Sequence, residues 1–218
     1  AASNNVGVVW TLTAKPSGSQ AALSAGPLST NVPLYKTADR ISQTGAAVYR
    51  LADRTYFRPD VVGPYTVTAT ITAPGTSPTN LTIKFTAATY LGVQSCLSCH
   101  SGFFPNVPNM SSYTNTAHAS FFARAIDGQE SDHYGKNCIS CHTVGYDTNS
   151  FAINGGFDDM ATLLGWSFPT VLTNGNWAAV PSQLQNLANI QCENCHGPGS
   201  QHNYSQGITG NTNAISVT

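Results

Sequence analysis

Charge is what this chain has least of. Only 9% of its 218 residues are Asp, Glu, Lys or Arg, and 9 basic against 10 acidic side chains leave a formal net charge of -1. Without a basic stripe, nothing marks a nucleic-acid or anionic-membrane partner, and no nucleic-acid partner is expected. No apolar run is long enough to cross a bilayer, so no membrane span is expected. The polar content comes from Ser, Thr and Asn instead. Histidine is missing from the first 99 positions, and cysteine is missing everywhere except three short segments. A disulfide framework distributed along the chain is thereby excluded.

What is present is concentrated. The 6 Cys fall in copies of one pattern. These are CLSCH (Cys96, Cys99, His100), CISCH (Cys138, Cys141, His142) and CENCH (Cys192, Cys195, His196). C-x-x-C-H is the attachment signature of c-type haem. Cysteines one helical turn apart can add both sulfurs to the vinyl groups on one haem edge. The next residue then carries an imidazole beneath the iron as proximal ligand. Structural zinc is a poorer reading, because three thiol pairs do not divide into closed four-ligand sites. Disulfide staples are poorer still, since C-x-x-C closes a strained loop. Thioredoxin-like exchange needs a βαβ frame, and no such pattern surrounds these motifs. Three covalent haems c are expected.

Of the 6 His, three are proximal, and the others are His118, His133 and His202. One spare histidine per haem is what three bis-histidine irons require. Met110 and Met160 are alternative axial thioethers, and both also suit ordinary packing. Cytochromes c acquire haem outside the cytoplasm, so a secreted protein is expected, extracellular or at the cell surface and otherwise periplasmic. The start AASNN suits a chain cut from its signal peptide after small residues. No N-terminal cysteine is present to carry a lipid.

Two regions differ in kind. Residues 1–92 read as β structure. The stretch VVWTLTA alternates, and in PYTVTATITAPGTSPTNLTIKFTA the residues Tyr65, Val67, Ala69 and Ile71 share one face, with threonines on the other. After a Pro-Gly-Thr-Ser-Pro turn, Leu81, Ile83 and Phe85 alternate again. AAVYRLADRTYFRPD supplies a shorter strand pair. These strands predict a small antiparallel β-sandwich. Residues 93–218 are rich in Gly and Asn, with helical pieces at FDDMATLLGW and PSQLQNLANI. Pro181 and Ser182 open the latter, which is expected to run into Cys192. A trihaem domain of short helices is predicted there, with porphyrins replacing much of the apolar core.

The stretch FRPDVVGPYTVTATI resembles bacterial immunoglobulin-like domains of the polycystic-kidney-disease-repeat type. That resemblance implies a spacer or adhesion module without chemistry of its own. In the second region, CLSCH…TNTAHASFFARA…CISCHTVGYD…ANIQCENCHGPGSQH resembles the tetrahaem cytochrome c of ammonia oxidation and its superfamily. The superfamily includes outer-surface cytochromes and some that polymerise into extracellular filaments. The resemblance implies that His118 pairs with His196 across one iron and His202 with His100 across another. It further implies that the Gly-Pro-Gly turn after His196 carries His202 to a neighbouring haem.

The chain departs from that family in two places. The ammonia-oxidation protein leaves its second haem five-coordinate, whereas SDHYGKNCISCH places His133 ahead of His142. His133 could fill that site in cis or reach a neighbouring subunit. Relatives also continue into a fourth C-x-x-C-H, and this sequence ends at NTNAISVT, either as a trihaem form or as a segment of something longer. The favoured function is an electron conduit of closely packed bis-His haems, not an enzyme. Its expected partners are other copies of itself in a homopolymer or filament, and redox partner proteins or extracellular acceptors. The alternative is a reductase acting on a small nitrogen compound at an open iron on the haem of His142. A third reading is a surface adhesin that merely carries haem.

Overall fold

Alternation in the first region becomes paired strands. The computed structural model describes residues 7–24, 55–147, 152–202 and 214–216, and the chain divides into two compact units, Ala1–Phe85 and Thr86–Thr218. In the first unit lie β1 (Gly7–Ala14), β2 (Leu23–Ser24), β3 (Tyr56–Phe57), β4 (Gly63–Thr72) and most of β5 (Thr79–Ala88). β1 runs antiparallel to β4 with Trp10 opposite Ala69 and Leu12 opposite Val67. β5 lies on the other side of β4, in a register fixed by hydroxyl and amide contacts between Thr68 and Thr82 and between Thr70 and Asn80. β2 and β3 form a separate two-stranded antiparallel sheet. The part of AAVYRLADRTYFRPD ahead of residue 55 lies outside the described residues.

Period-two burial holds along β4, where Tyr65, Val67 and Ala69 are buried between half-buried threonines. Along β5 it does not. Phe85 stacks on Tyr65 with ring centroids 5.8 Å apart, and Phe57 completes that aromatic cluster. Leu81 and Ile83 are more than half exposed. β5 has β4 on one side, and on its other side Thr86–Ala88 pair with β6. Among the described residues no strand pairs with the outer side of residues 79–84, and Lys84 supplies a charge of the kind that discourages edge pairing.

A hydroxyl ties β4 to the turn before it. Tyr65 donates to the Val61 carbonyl at 2.8 Å and accepts from the Val61 N–H at 3.2 Å. Asp60 beside it accepts from the Ser19 hydroxyl at 2.5 Å and the Gln20 N–H at 2.6 Å. Slight burial pushes the Asp60 pKa up, but the bonds from Ser19, Gln20 and Tyr65 outweigh it and hold the carboxyl below its ordinary value.

The second unit is built from short helices: α1 (Val93–His100), α2 (Phe121–Ile126), α3 (Ile139–His142), α4 (Phe157–Leu164), α5 (Asn176–Ala179), α6 (Ser182–Leu187) and α7 (Cys192–His196). Tight 3-10 turns occupy Ser111–Asn115 and Lys136–Cys138, and β6 (Ala214–Ser216) runs parallel to Thr86–Ala88. α4 ends where Gly165 takes a left-handed conformation, as glycine after a helix commonly does. α6 opens after Pro181 but stops at Leu187 and does not run into Cys192. Ala188 is already extended (ψ 161) and bridges Thr143, Asn189 follows with φ 74, and α7 starts afresh.

This unit also has a core of its own side chains. Phe122 and Ile126 of α2, Phe157 of α4, and Leu184 and Leu187 of α6 are its buried centre. Phe122 and Phe157 meet edge to face with centroids 5.5 Å apart. The motif helices stand largely outside it: α1 buries no side chain, α3 only Ile139, and α7 only Glu193.

Removing the Tyr65 hydroxyl tests the turn. Tyr65→Phe strands the Val61 N–H, and the first unit should lose about 1–3 kcal/mol in denaturant titration. Because Asp60 has a lowered folded pKa, its contribution is present above its unfolded value of about 3.9 and disappears as pH falls through the folded one. Asp60→Asn should flatten the acid limb of the unfolding curve, by a modest amount because the group is exposed.

Candidate functional site

All three C-x-x-C-H patterns fold as a helical turn that ends on its histidine. Cys96–His100 forms the end of α1, and Cys138 stands directly ahead of α3, which ends at His142. Cys192–His196 is the whole of α7. At i and i+3 the two sulfurs share a helix face, with the histidine one residue further on. The cysteines are all free and none is fully buried, with Cys141 and Cys195 exposed.

α1 is held from its N-terminus by bonds to distant residues. Gly92 precedes it with φ +83, and a Cβ there would lie 2.4 Å from the Asn186 amide nitrogen, so glycine is required on both counts. Asn186 accepts from the Gln94 N–H at 2.9 Å and donates to the Leu91 carbonyl at 2.8 Å. Glu193, the residue after the first cysteine of α7, accepts from the Leu91 N–H, the Gly92 N–H (2.7 Å) and the Gly199 N–H (2.6 Å). Asn194 beside it donates to the Thr143 carbonyl at 2.9 Å, immediately after His142.

His100 has its Nδ1 2.9 Å from the Pro108 carbonyl oxygen. With its proton given to that carbonyl, Nε2 keeps a lone pair, the tautomer a metal ligand needs. The His202 ring lies with its centroid 6.2 Å from that of His100. One metal between two imidazoles requires about this spacing, from two bonds of about 2.0–2.1 Å plus roughly 1.1 Å from each nitrogen to its ring centre. The turn that delivers His202 is closed by its own N–H donating to the Gly199 carbonyl at 2.8 Å.

His142 sits differently. Its ring lies against Phe121 at 4.4 Å and edge to face with Tyr134 at 5.6 Å. Burial lowers its pKa, which keeps the imidazole in the neutral form that ligates. Its Nδ1 and the Tyr134 hydroxyl are both buried with no hydrogen-bond partner among the described residues. His133 is at the surface beside Ser131 and Asp132, with its side chain 88% exposed. His196 ends α7 at the surface. His118 is also exposed, and its carbonyl accepts from the Ile190 N–H at 3.1 Å, two residues before Cys192. Met160 packs against the apolar core, and the Met110 N–H donates to the His100 carbonyl at 2.7 Å.

The first cysteines of two motifs adjoin. The neighbouring Cys96 thiol holds the Cys192 thiol down, to about 6, against the burial that raises it, and Cys96 is itself pushed up by Cys192. Tyr113 beside them is raised to about 12 by burial and donates to the Ile190 carbonyl at 2.9 Å. Among the described residues no three His, Cys, Asp or Glu side chains converge as a bare metal ion requires. A porphyrin brings four nitrogens of its own and asks the protein only for attachment and one or two axial ligands. The His142 imidazole that burial keeps neutral, the His100 ring oriented by Pro108, the paired thiols and the 6.2 Å imidazole separation fit that group.

Glu193, Asn194, Asn186 and Phe121 have no role in the sequence reading. One signal was available for Glu193: a carboxylate inside a C-x-x-C-H pattern is conspicuous in a chain with 9% charged residues. The others serve segments 50 or more residues away in the case of Asn186 and Asn194, and no local pattern marks them.

Asn189 tests how α2 is placed against His142. Its Oδ1 accepts from the Phe122 and Ala123 N–H groups, while its own backbone sits at φ 74. Asn189→Gly removes the bonds alone, whereas Asn189→Ala also strains the backbone. Thermal unfolding should show a loss of about 1–2 kcal/mol for glycine and a larger one for alanine.

No protein-family model matches the chain, and no curated protein or solved structure matches it either.

Proposed function

We propose that the chain is a secreted trihaem c-type cytochrome that carries electrons and turns over no substrate. The observation that carries this reading is the repetition of one build: three C-x-x-C-H sequences, each a helical turn closed by its histidine. Cys96, Cys99, Cys138, Cys141, Cys192 and Cys195 would hold the haems through thioethers. His100, His142 and His196 would be proximal ligands, with His202 opposite His100 and His118 opposite His196. Haem supplies a one-electron iron couple when bound. The protein attaches it, fills its axial positions and shapes its surroundings. The adjoining Cys96 and Cys192 support close placement of two of the groups.

A second reading has its own support. The rings against His142 are Phe121 and Tyr134, while His133 stands in solvent. A haem with one open face at His142 would suit reduction of a small nitrogen compound. His133 would then be free to ligate a neighbouring copy. For the first unit the proposal is an immunoglobulin-like sandwich acting as a spacer. It is supported by the return of the Tyr65 hydroxyl to Val61, a contact of the tyrosine-corner kind. A net charge of -1 does little to oppose self-association, in keeping with a homopolymer that passes electrons between copies and to extracellular acceptors.

After export from a host with haem-attachment machinery, intact mass should exceed the polypeptide by three haems that acid-acetone extraction leaves in place. A bare-chain mass would end the cytochrome reading. Light scattering and negative-stain imaging of the secreted protein should show polymers. A stable monomer at high concentration would remove the filament, and His133→Ala that dissolves polymers and creates high-spin iron together would place His133 across the interface.

A further inference from the structure

We propose that Glu193 is the positioning residue for the His100–His202 pair, a role that rests on the cytochrome reading and assigns the carboxylate inside CENCH a purpose. Glu193 is 4% exposed. Its Oε1 accepts from the Leu91 N–H at 3.1 Å and from the Gly199 N–H at 2.6 Å. Its Oε2 accepts from the Leu91 N–H at 3.1 Å and from the Gly92 N–H at 2.7 Å. Leu91 and Gly92 lead directly into α1, which ends on His100. Gly199 belongs to the turn that ends on His202. One carboxylate therefore grips the two segments that deliver the two rings.

Geometry makes the grip specific. α1 buries none of its side chains, so packing does little to fix it, and a helix of 8 residues is too short to hold itself. The turn at Gly199 is equally dependent: a Cβ there would lie 3.0 Å from Glu193 Oε1, so the carboxylate occupies the space a side chain would need. A second clasp reinforces the same junction. The Thr89 N–H donates to the Ser200 hydroxyl at 2.8 Å, and the Ser200 N–H donates to the Thr89 carbonyl at 3.1 Å. With Glu193 in place, the start of α1 and the turn before His202 move as one body, and the ring separation of 6.2 Å is held.

Glutamine is not an equivalent. Both oxygens of Glu193 accept, and an amide would turn an N–H₂ toward either the Gly92 or the Gly199 N–H. One of the two segments would be released.

The test uses the full, haem-loaded, exported chain and two readouts. Intact mass reports the number of attached haems. Carbon monoxide titration of the reduced protein, followed at the Soret band, reports how many irons have an open face. Glu193→Gln and Glu193→Ala should keep three haems and gain one CO-reactive iron over the unsubstituted protein. His202→Ala should gain the same one, and Glu193→Gln combined with His202→Ala should gain no more than either alone. A merely structural carboxylate would lower the unfolding midpoint without changing the CO count, and three haems with an unchanged count would overturn the proposal. If Glu193→Ala fails to fold, Glu193→Gln decides by the same count. An unsubstituted protein lacking haem would instead overturn the cytochrome reading beneath it.

Discussion

A single buried carboxylate ties the segment ahead of α1 to the glycine turn after α7. Glu193 brings a negative charge to a site only 4% exposed, in a chain with few charges of any kind. Such a charge is costly unless its lone pairs are satisfied. Here they are met by backbone N–H groups from two segments, with the shortest bonds at 2.6 and 2.7 Å, as expected for charge-assisted pairs. The cost of burial is offset only when both segments are in place. The carboxylate therefore favours one arrangement of α1, α7 and the glycine turn over looser ones.

Asparagine does comparable work elsewhere in this unit. Asn186 bonds the start of α1, Asn189 the start of α2, and Asn194 the exit from α3. Asn176 donates to the Ile126 carbonyl at the end of α2. Helices of four to eight residues leave most of their backbone groups unpaired, because the first four N–H groups and last four C=O groups have no partner within the helix. Side-chain amides that both donate and accept supply partners without adding charge. This accounts for a domain that is rich in Asn, low in charge and short of long helices. It also explains how motif helices can stand outside the apolar core and still be fixed.

The first unit is held by other means. Its centre is three aromatic rings and the buried face of β4, and a tyrosine hydroxyl pins the preceding turn. That unit's sequence contains neither histidine nor cysteine. The C-x-x-C-H motifs and this sheet are thus segregated along the chain.

Local spacing by itself determines several features. Cysteines at i and i+3 with histidine at i+4 suit one helical turn, which puts both sulfurs on one face, and all three motifs fold so. Period-two apolarity dictated the strand at Tyr65–Ala69 for the same kind of reason, and Gly165 marked the end of α4. Tertiary structure decided what spacing cannot encode. It exposed Leu81 and Ile83 on β5, ended α6 at an extended Ala188 with Asn189 next turned to bond a distant helix, and set Phe121 and Tyr134 against His142 with His133 at the surface. Above all it buried Glu193 between segments about 100 residues apart in one direction and 6 in the other. A carboxylate's value there depends on which N–H groups surround it, and those are assembled only when the whole unit has closed.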